Sequence, residues 1–106
     1  MLYATQICDA LHRRRLLRFW YKDHATPTIV EPYVFGENSA GHIALSAWRI
    51  SGETHDPIPP FWRHYLESEM RDVTVLAEEF SINRDGYQPN DRRFRVILCR
   101  VTPPAV

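Results

Sequence analysis

Apolar residues near the start of the chain recur at helical spacing. The stripe consists of Tyr3, Ile7, Cys8, Ala10 and Leu11. Positions three and four apart lie on one face of an α-helix, so the stripe predicts an amphipathic helix. Thr5 is of a residue type that caps helix N-termini, and basic residues follow the stripe. The pattern therefore predicts a helix over residues 5–15 with Thr5 as its cap.

Beyond this segment the apolar residues alternate with polar ones, which is the spacing of β-strands. In the first predicted strand, Leu17, Phe19 and Tyr21 share one face and form the expected core side. In the second strand, Pro32 lacks a backbone N–H and marks an edge, a bulge or a sharp bend. The predicted strands are 16–22, 28–35, 42–50, 61–66, 71–76 and 94–101.

The two faces of the predicted strand 42–50 differ: one is the expected core face, and the other carries a shallow dip. Ile43, Leu45 and Ala47 form the expected core face. Small residues lie between His42 and Trp48 on the other face and leave a shallow dip. Such a dip either holds a ligand or receives a neighbouring side chain. The proline-rich stretch 51–60 and the polar stretch 83–91 are predicted loops.

One helix followed by five or six short strands predicts a mostly β (α+β) fold, a curled antiparallel sheet that the helix closes. The 106 residues fit one domain. We expect that domain to span residues 1–102, with the helix at 5–15, a barrel at 16–101 and a loose tail at 103–106.

Thirteen basic and thirteen acidic residues balance, so net charge alone does not favour nucleic acid or membrane as a partner. A site for a polyanion must then be a local patch. Arg13, Arg14 and Arg15 are the candidates, either as an anion-binding patch or as cations that suit the negative end of the helix dipole.

No targeting segment or apolar membrane span is visible, so the expected location is cytoplasmic. Cys8 and Cys99 form no CxxC pair and are expected to be two buried thiols rather than a disulfide or metal ligands. The five histidines lack zinc-motif spacing, and there is no nucleophile elbow or phosphate-binding glycine loop. We therefore expect no metal, no cofactor and no enzymatic activity.

Several short motifs follow one another in an order that resembles a known family. They are Phe19-Trp20-Tyr21 after the basic helix end, Val30-Glu31-Pro32-Tyr33, His42-Ile43-Ala44-Leu45, Trp62-Arg63-His64-Tyr65-Leu66, and Asp72-Val73 with Phe80. This order is similar to that of WYL domains, the Sm-like, SH3-type β-barrel modules of bacterial regulators. The resemblance covers roughly residues 5–80. It departs from the family at the namesake triplet, where only Leu45 is kept.

The resemblance implies a non-enzymatic sensing module that takes part in transcription regulation. Relatives are usually joined to a helix-turn-helix domain and are thought to bind nucleic-acid fragments or other negatively charged effectors. A chain of this length is then expected to be a stand-alone module, a subunit of a larger assembly or an excised piece. A nucleotide or a single-stranded nucleic acid is the ligand that the family implies. We expect no membrane partner.

The predicted ligand site consists of Tyr21, His42, Arg63 and Tyr65, which lie on strands that neighbour one another in the resembling fold. Arg63 would contact a phosphate, and the two tyrosines would stack on a ligand ring. The alternative is structural: Arg63 pairs with Glu31, and the tyrosines belong to the core.

The three tryptophans support an alternative function. Trp20, Trp48 and Trp62 would form an apolar patch if they share a face, and such patches mark interfaces. On this interpretation the chain forms a homo-oligomer or docks to a regulatory partner, as an interaction subunit without a small ligand.

Overall fold

The computed structural model describes residues 1–52 and 61–101. It is mostly β, with one N-terminal helix and a six-stranded antiparallel sheet, as the alternating pattern predicts. The elements are α1 (Ala4–Arg13), β1 (Arg15–Tyr21), β2 (Thr28–Asn38), β3 (Ile43–Ser51), β4 (Trp62–Leu66), a 3₁₀ turn (Glu67–Glu69), β5 (Met70–Glu79) and β6 (Phe94–Arg100).

Five strands form one antiparallel sheet in the order β4-β3-β2-β1-β5, and β6 pairs with β2 beside β1. The sheet is strongly curled. The curvature brings side chains of β1 and β4 into contact, although two strands lie between them. The ring of Tyr65 lies 5.1 Å from that of Phe19 and 5.0 Å from that of Tyr21. Within the described residues no ladder joins β4 to β5, so the sheet is not closed into a barrel.

Pro32 lies where β2 changes partner. The N-terminal part of β2 pairs with β1 as far as Val30, and its C-terminal part pairs with β6 from Val34 onwards. Pro32 falls between these two pairings, where a missing N–H costs least. The register against β3 shifts between Pro32 and Val34, which leaves Tyr33 as the extra residue. Of the edge, bulge or sharp bend that Pro32 predicted, the register against β3 shows the bulge, at the next residue.

The prediction that Thr5 caps the helix is wrong. The helix begins at Ala4 and its N-cap is Tyr3, whose side chain makes no cap hydrogen bond. Instead, the backbone N–H of Tyr3 donates to Oε2 of Glu67 at 2.9 Å. Glu67 is 5% exposed, so a carboxylate from a distant turn satisfies this end of the helix and suits its dipole.

The helix also ends two residues earlier than predicted. Arg14 adopts the left-handed conformation (φ 53°, ψ 46°), and its N–H turns back to Ala10 and Leu11. That conformation closes the helix and lets Arg15 enter β1 directly. Ile7, Ala10 and Leu11 are buried, which confirms the predicted apolar stripe.

Both faces of the central strands are buried. On the face toward α1, Leu45 and Ala47 are fully buried with Phe19, as predicted. On the opposite face, Ala44 is also fully buried and Ser46 is 3% exposed. A second layer therefore covers the predicted dip on this side of β3, and a side chain of that layer enters it, since Nη2 of Arg93 donates to Oγ of Ser46 at 3.2 Å.

The prediction of two free thiols is also wrong. Cys8 of α1 and Cys99 of β6 form a disulfide with a Cα–Cα distance of 5.7 Å. The two cysteines are 91 residues apart in sequence, but α1 packs across β6 and brings them together. Closing a loop of this length stabilises a fold by roughly 4–5 kcal/mol in the chain-entropy account.

The Glu67 contact predicts a specific loss of stability. Replacing Glu67 by alanine should lower the free energy of unfolding by about 1–2 kcal/mol, because the Tyr3 N–H loses its acceptor. Glu67→Gln keeps an acceptor oxygen and should lose less. Urea denaturation measures both variants. Equal stability of Glu67→Ala and the wild type would show that the contact contributes nothing.

Candidate functional site

Residues 80–93, here called the covering segment, cross the face of the sheet that points away from α1. A cavity of about 670 Å³ lies beneath the C-terminal half of this segment. Its volume is within the range of small-molecule sites. The residues that matter for its chemistry are Val34, Ser46, Trp62, Tyr87, Arg92 and Arg93.

The covering segment is anchored first at Arg84. Its Nε and Nη2 atoms donate to the two carboxylate oxygens of Glu31, both at 2.9 Å. The guanidinium also lies 5.1 Å from the ring centre of Trp48. Glu31 is only 5% exposed, so this paired, planar interaction supplies the partner that a buried carboxylate needs.

Tyr33 completes this anchor. Its hydroxyl donates to Oε1 of Glu31 at 2.9 Å and accepts the backbone N–H of Arg84 at 3.1 Å. Burial raises the pKa of Tyr33 well above its ordinary value. The hydrogen bonds to Glu31 raise the pKa of Arg84 in turn. Tyr33 therefore stays a neutral donor and Arg84 stays a cation throughout the physiological range.

A second anchor lies at Trp62. Its indole N–H donates to the backbone carbonyl of Asp85 at 2.7 Å. Gly86 follows with φ 92°, and a Cβ at this position would lie 2.8 Å from Nε1 of Trp62. Only glycine fits both the left-handed backbone and the close approach. The indole N–H is thus used within the fold, and the ring forms a wall of the cavity.

Two further contacts hold the middle of the covering segment. The hydroxyl of Tyr87 donates to the carbonyl of Val101 at 2.8 Å. Nη1 of Arg100 donates to the carbonyl of Pro89 at 3.0 Å and to Oδ1 of Asn90 at 2.9 Å. These contacts join the segment to β6 and to the residue after it, so the cavity is formed by ordered parts of the chain.

The charged end of the cavity is built around Asp91 and Arg93. Nη2 of Arg93 donates to Oδ2 of Asp91 at 2.7 Å and to Oγ of Ser46 at 3.2 Å, while Nε donates to Asp91 as well. Burial favours the neutral form of Asp91, but the hydrogen bonds from Arg93 outweigh it, and the pKa of Asp91 falls below its ordinary value. Asp91 is therefore an anion that positions Arg93.

The same end of the cavity keeps donors for a ligand. Nη1 of Arg93 makes no hydrogen bond to any residue that the structure describes, and the Arg93 side chain is 56% exposed. The neighbouring Arg92 is exposed and also lines the cavity. Oγ of Ser46 accepts from Arg93, which leaves its own proton to donate.

His64 lies beside this cluster. It is opposite Ser46 in the β3–β4 register, and its ring is 5.4 Å from that of Phe94. Its Nε2 lies 3.4 Å from Nδ2 of Asn38. Burial and the charge of Arg93 lower the pKa of His64, and Asp91 opposes them only in part. The neutral imidazole is therefore the form that the fold favours.

Three of the four predicted ligand residues, Tyr21, Arg63 and Tyr65, belong to the same side of the sheet as the core. Tyr21 and Tyr65 are 8% and 6% exposed, and their rings meet edge to face. The hydroxyl of Tyr21 accepts the backbone N–H of Leu66 at 3.1 Å. Arg63 lies near Tyr65, since its charge acts on the Tyr65 hydroxyl. His42 lies apart from them, exposed in the turn between β2 and β3.

The predicted alternative partner of Glu31 is wrong. Glu31 pairs with Arg84, not with Arg63. One N–H of Arg63 donates to the backbone carbonyl of Trp62 at 2.9 Å. Arg84 lies in the predicted polar loop, and nothing in the local sequence marks it as the partner of a carboxylate 53 residues away.

Two of the three basic residues of the predicted anion patch have partners within the fold. Arg13 pairs with Asp9 one turn earlier, at 3.1 Å. Arg14 donates to Oδ1 of Asn83 at 2.9 Å and lies over the ring of Phe80. These contacts give both side chains a role in the fold, and Arg14 helps to fix the start of the covering segment.

Two of the three predicted interface tryptophans come together. Trp48 and Trp62 meet at 5.7 Å with their rings at 88°, and Trp62 also meets Tyr33 at 4.9 Å. Both are partly buried beneath the covering segment. Trp20 lies instead on β1, where it pairs with Arg71 of β5.

Sequence reasoning did not find the cavity, because most of its residues lie in a stretch that reads as a polar loop. Two local signals were present. Tyr87 is an aromatic residue within that loop, and Arg92 and Arg93 form a basic pair directly before β6. Glu31, a carboxylate in an otherwise apolar strand, was the sign that a cation must reach it from elsewhere.

Comparison with known proteins adds no relative. No protein-family model, curated protein or solved structure matches the chain. Within residues 1–52 and 61–101, no helix has the length and apolar character that crossing a membrane requires. Over the same residues, no three histidine, cysteine or acidic side chains are arranged to hold a metal ion.

The lowered pKa of His64 predicts an acid-sensitive stability. As the pH falls below about 6.5, the unfolded chain takes up a proton that the folded His64 resists. The free energy of unfolding of the wild type should therefore decrease between about pH 7 and pH 5. His64→Gln should show a smaller decrease, as measured by urea denaturation at each pH.

The matched control for this experiment is His42→Gln, since His42 is exposed in a turn. It should follow the wild type. A pH dependence in His64→Gln as steep as that of the wild type would mean that another group titrates.

Proposed function

We propose that this chain is a non-enzymatic regulatory module that senses a negatively charged effector, and that the effector occupies the cavity beneath the covering segment. The observation that carries the proposal is the cationic end of that cavity. Arg93 is positioned by Asp91, its Nη1 has no partner among the residues that the structure describes, and Arg92 lies beside it. A positioned guanidinium is well suited to bind a carboxylate or a phosphate.

The aromatic wall supports the same proposal. Trp62 and Tyr87 line the cavity, and their polar atoms already have partners within the fold. Their rings therefore offer apolar surface against which a flat ligand can pack. A mostly preformed concave site with a few convergent polar groups is the usual form of a small-molecule site.

The WYL-like, Sm-like barrel is the finer part of the proposal. The helix followed by a curled antiparallel sheet is consistent with it, and the contact between β1 and β4 brings the sheet near to closure. A WYL-like identity would place the chain in a regulatory protein. Tyr21, Arg63 and Tyr65 remain a second proposed ligand site, on the other side of the sheet. His42, the fourth residue of the predicted set, lies apart from them in the β2–β3 turn.

The disulfide bears on the proposed cytoplasmic location. Disulfides persist in oxidising compartments and are rare in the cytosol. Cys8–Cys99 and a cytoplasmic location therefore oppose each other, and the location stays a prediction. Mass spectrometry of the protein taken directly from its native compartment, with free thiols blocked, would show whether the bond is present there.

Binding would act through the covering segment. A ligand that contacts Arg92, Arg93 and Trp62 joins this segment to the sheet and favours the conformation in which it is docked. If a regulatory partner recognises only one of the two states, ligand occupancy shifts the population toward or away from the partner complex.

A second candidate function, protein interaction without a small ligand, is favoured by a different observation. Val96 and Leu98 on β6 are 47% and 44% exposed, and Ile82 on the covering segment is 78% exposed. Exposed apolar side chains of this size are typical of interfaces when they are contiguous.

The proposed function predicts anion binding that depends on the cavity. A tryptophan fluorescence titration at low salt, with inorganic phosphate, adenosine 5′-monophosphate and a short carboxylate series, should show saturable binding of at least one anion. Gly86→Ala should weaken it by about tenfold or more, because a Cβ would press on Trp62 and displace the segment.

The control is Gly41→Ala, because Gly41 also has a positive φ (85°) but has open space around its Cβ position. It carries a similar backbone strain without a clash, at a residue that does not line the cavity, and should leave anion binding unchanged. If no anion binds to the wild type at any concentration, the sensing function is wrong and the interaction function is favoured.

A further inference from the structure

The charges around the cavity restrict the ligand to a narrower chemical class than the negatively charged effector of the proposed function. Among the lining residues that the structure describes, Arg92 and Arg93 are cations, Asp91 is the one anion, and the others are neutral. The site thus carries a single net positive charge. A nucleic-acid strand or a polyphosphate brings several negative charges. The site compensates one of them, and the others would face the buried Asp91 carboxylate without compensation.

The hydrogen-bond donors lead to the same limit. Nε and Nη2 of Arg93 are committed to Asp91 and Ser46. Nη1, which no described residue engages, remains for a ligand. Arg92 supplies a second cation at the surface, and the hydroxyl of Ser46 supplies one neutral donor. This set matches the two oxygens of one carboxylate. These donors are too few for a phosphate monoester, which carries nearly two negative charges and three acceptor oxygens.

The apolar part of the lining sets the shape of the rest of the ligand. The indole ring of Trp62 and the side chain of Val34 line the cavity, and the Trp62 N–H is already bonded to Asp85. An apolar, flat group gains from contact with such a wall, whereas a sugar would leave its hydroxyls without partners there. The ligand is then apolar and aromatic at one end and anionic at the other.

We infer that the cavity takes a small aromatic monocarboxylate, with its carboxylate on Arg92, Nη1 of Arg93 and Ser46 and its ring against Trp62. This inference rests on the proposed function and names the chemical class of the effector. It excludes single-stranded nucleic acid from this cavity, although the sequence resemblance implies such a ligand. A volume of about 670 Å³ accommodates a molecule of this size.

Isothermal titration calorimetry with four probes tests the inference: indole-3-acetate, its neutral amide indole-3-acetamide, adenosine 5′-monophosphate and a short oligothymidylate. Indole-3-acetate should bind, and the amide should bind about tenfold more weakly because it lacks the charge. Arg92→Gln should weaken indole-3-acetate binding by about tenfold and leave the amide unchanged. Arg92 is exposed, so this variant should fold normally.

Arg18→Gln is the matched control, because Arg18 is an exposed arginine on β1 that does not line the cavity. It should bind every probe as the wild type does. Equal affinity for the acid and the amide would overturn the inference, because the charge would not be recognised. Tighter binding of the nucleotide or the oligothymidylate would also overturn it, while the proposed anion sensing would stand. Failure of all three anions to bind would overturn both.

Discussion

The buried carboxylate of Glu31 is the constraint on which the rest of this structure depends. A carboxylate that is 5% exposed is tolerated only when charge and hydrogen bonds compensate for its lost hydration. Arg84 provides both, with two N–H groups at 2.9 Å, and Tyr33 adds a third donor. Because Arg84 lies in an otherwise irregular stretch, satisfying Glu31 brings the whole covering segment onto the sheet.

Once the covering segment is in place, the sheet has a layer on each face. Helix α1 covers one face, where it is fixed by Glu67 at its start and by the Cys8–Cys99 disulfide. The covering segment forms the other layer, in which Tyr33, Trp62 and Tyr87 meet ring against ring. The cavity is the space that these aromatic side chains and the arginine-rich end of the segment do not fill.

The regular part of the fold was accessible from sequence because it depends on local spacing. The stripe Ile7–Leu11 predicted a helix, and alternation predicted all six strands within a few residues. The extensions were missed for a non-local reason. For example, β2 continues to Asn38, where both β3 and the distant strand β6 pair with its C-terminal half, and no residue of β2 itself indicates the β6 partner.

The tertiary contacts that matter most for function were missed for the same reason. Thr5 had the chemistry of a cap, but Glu67 supplies the acceptor from a turn 64 residues away. Cys8 and Cys99 gave no motif, because only the packing of α1 on β6 brings them together. Glu31 was visible as an unusual residue, and its partner Arg84 was not, since a polar loop does not show in its sequence what it will lie against.

The most direct test of this account is a double-mutant cycle between Glu31 and Arg84, measured as the free energy of unfolding in urea. Glu31→Gln removes the charge, Arg84→Met removes the cation and keeps most of the apolar stem, and the third variant combines them. The account predicts a coupling energy of about 1–2 kcal/mol, less than for a fully buried pair because Arg84 is 44% exposed. Additive effects of the two substitutions, with no coupling, would contradict the claim that this pair holds the covering segment on the sheet.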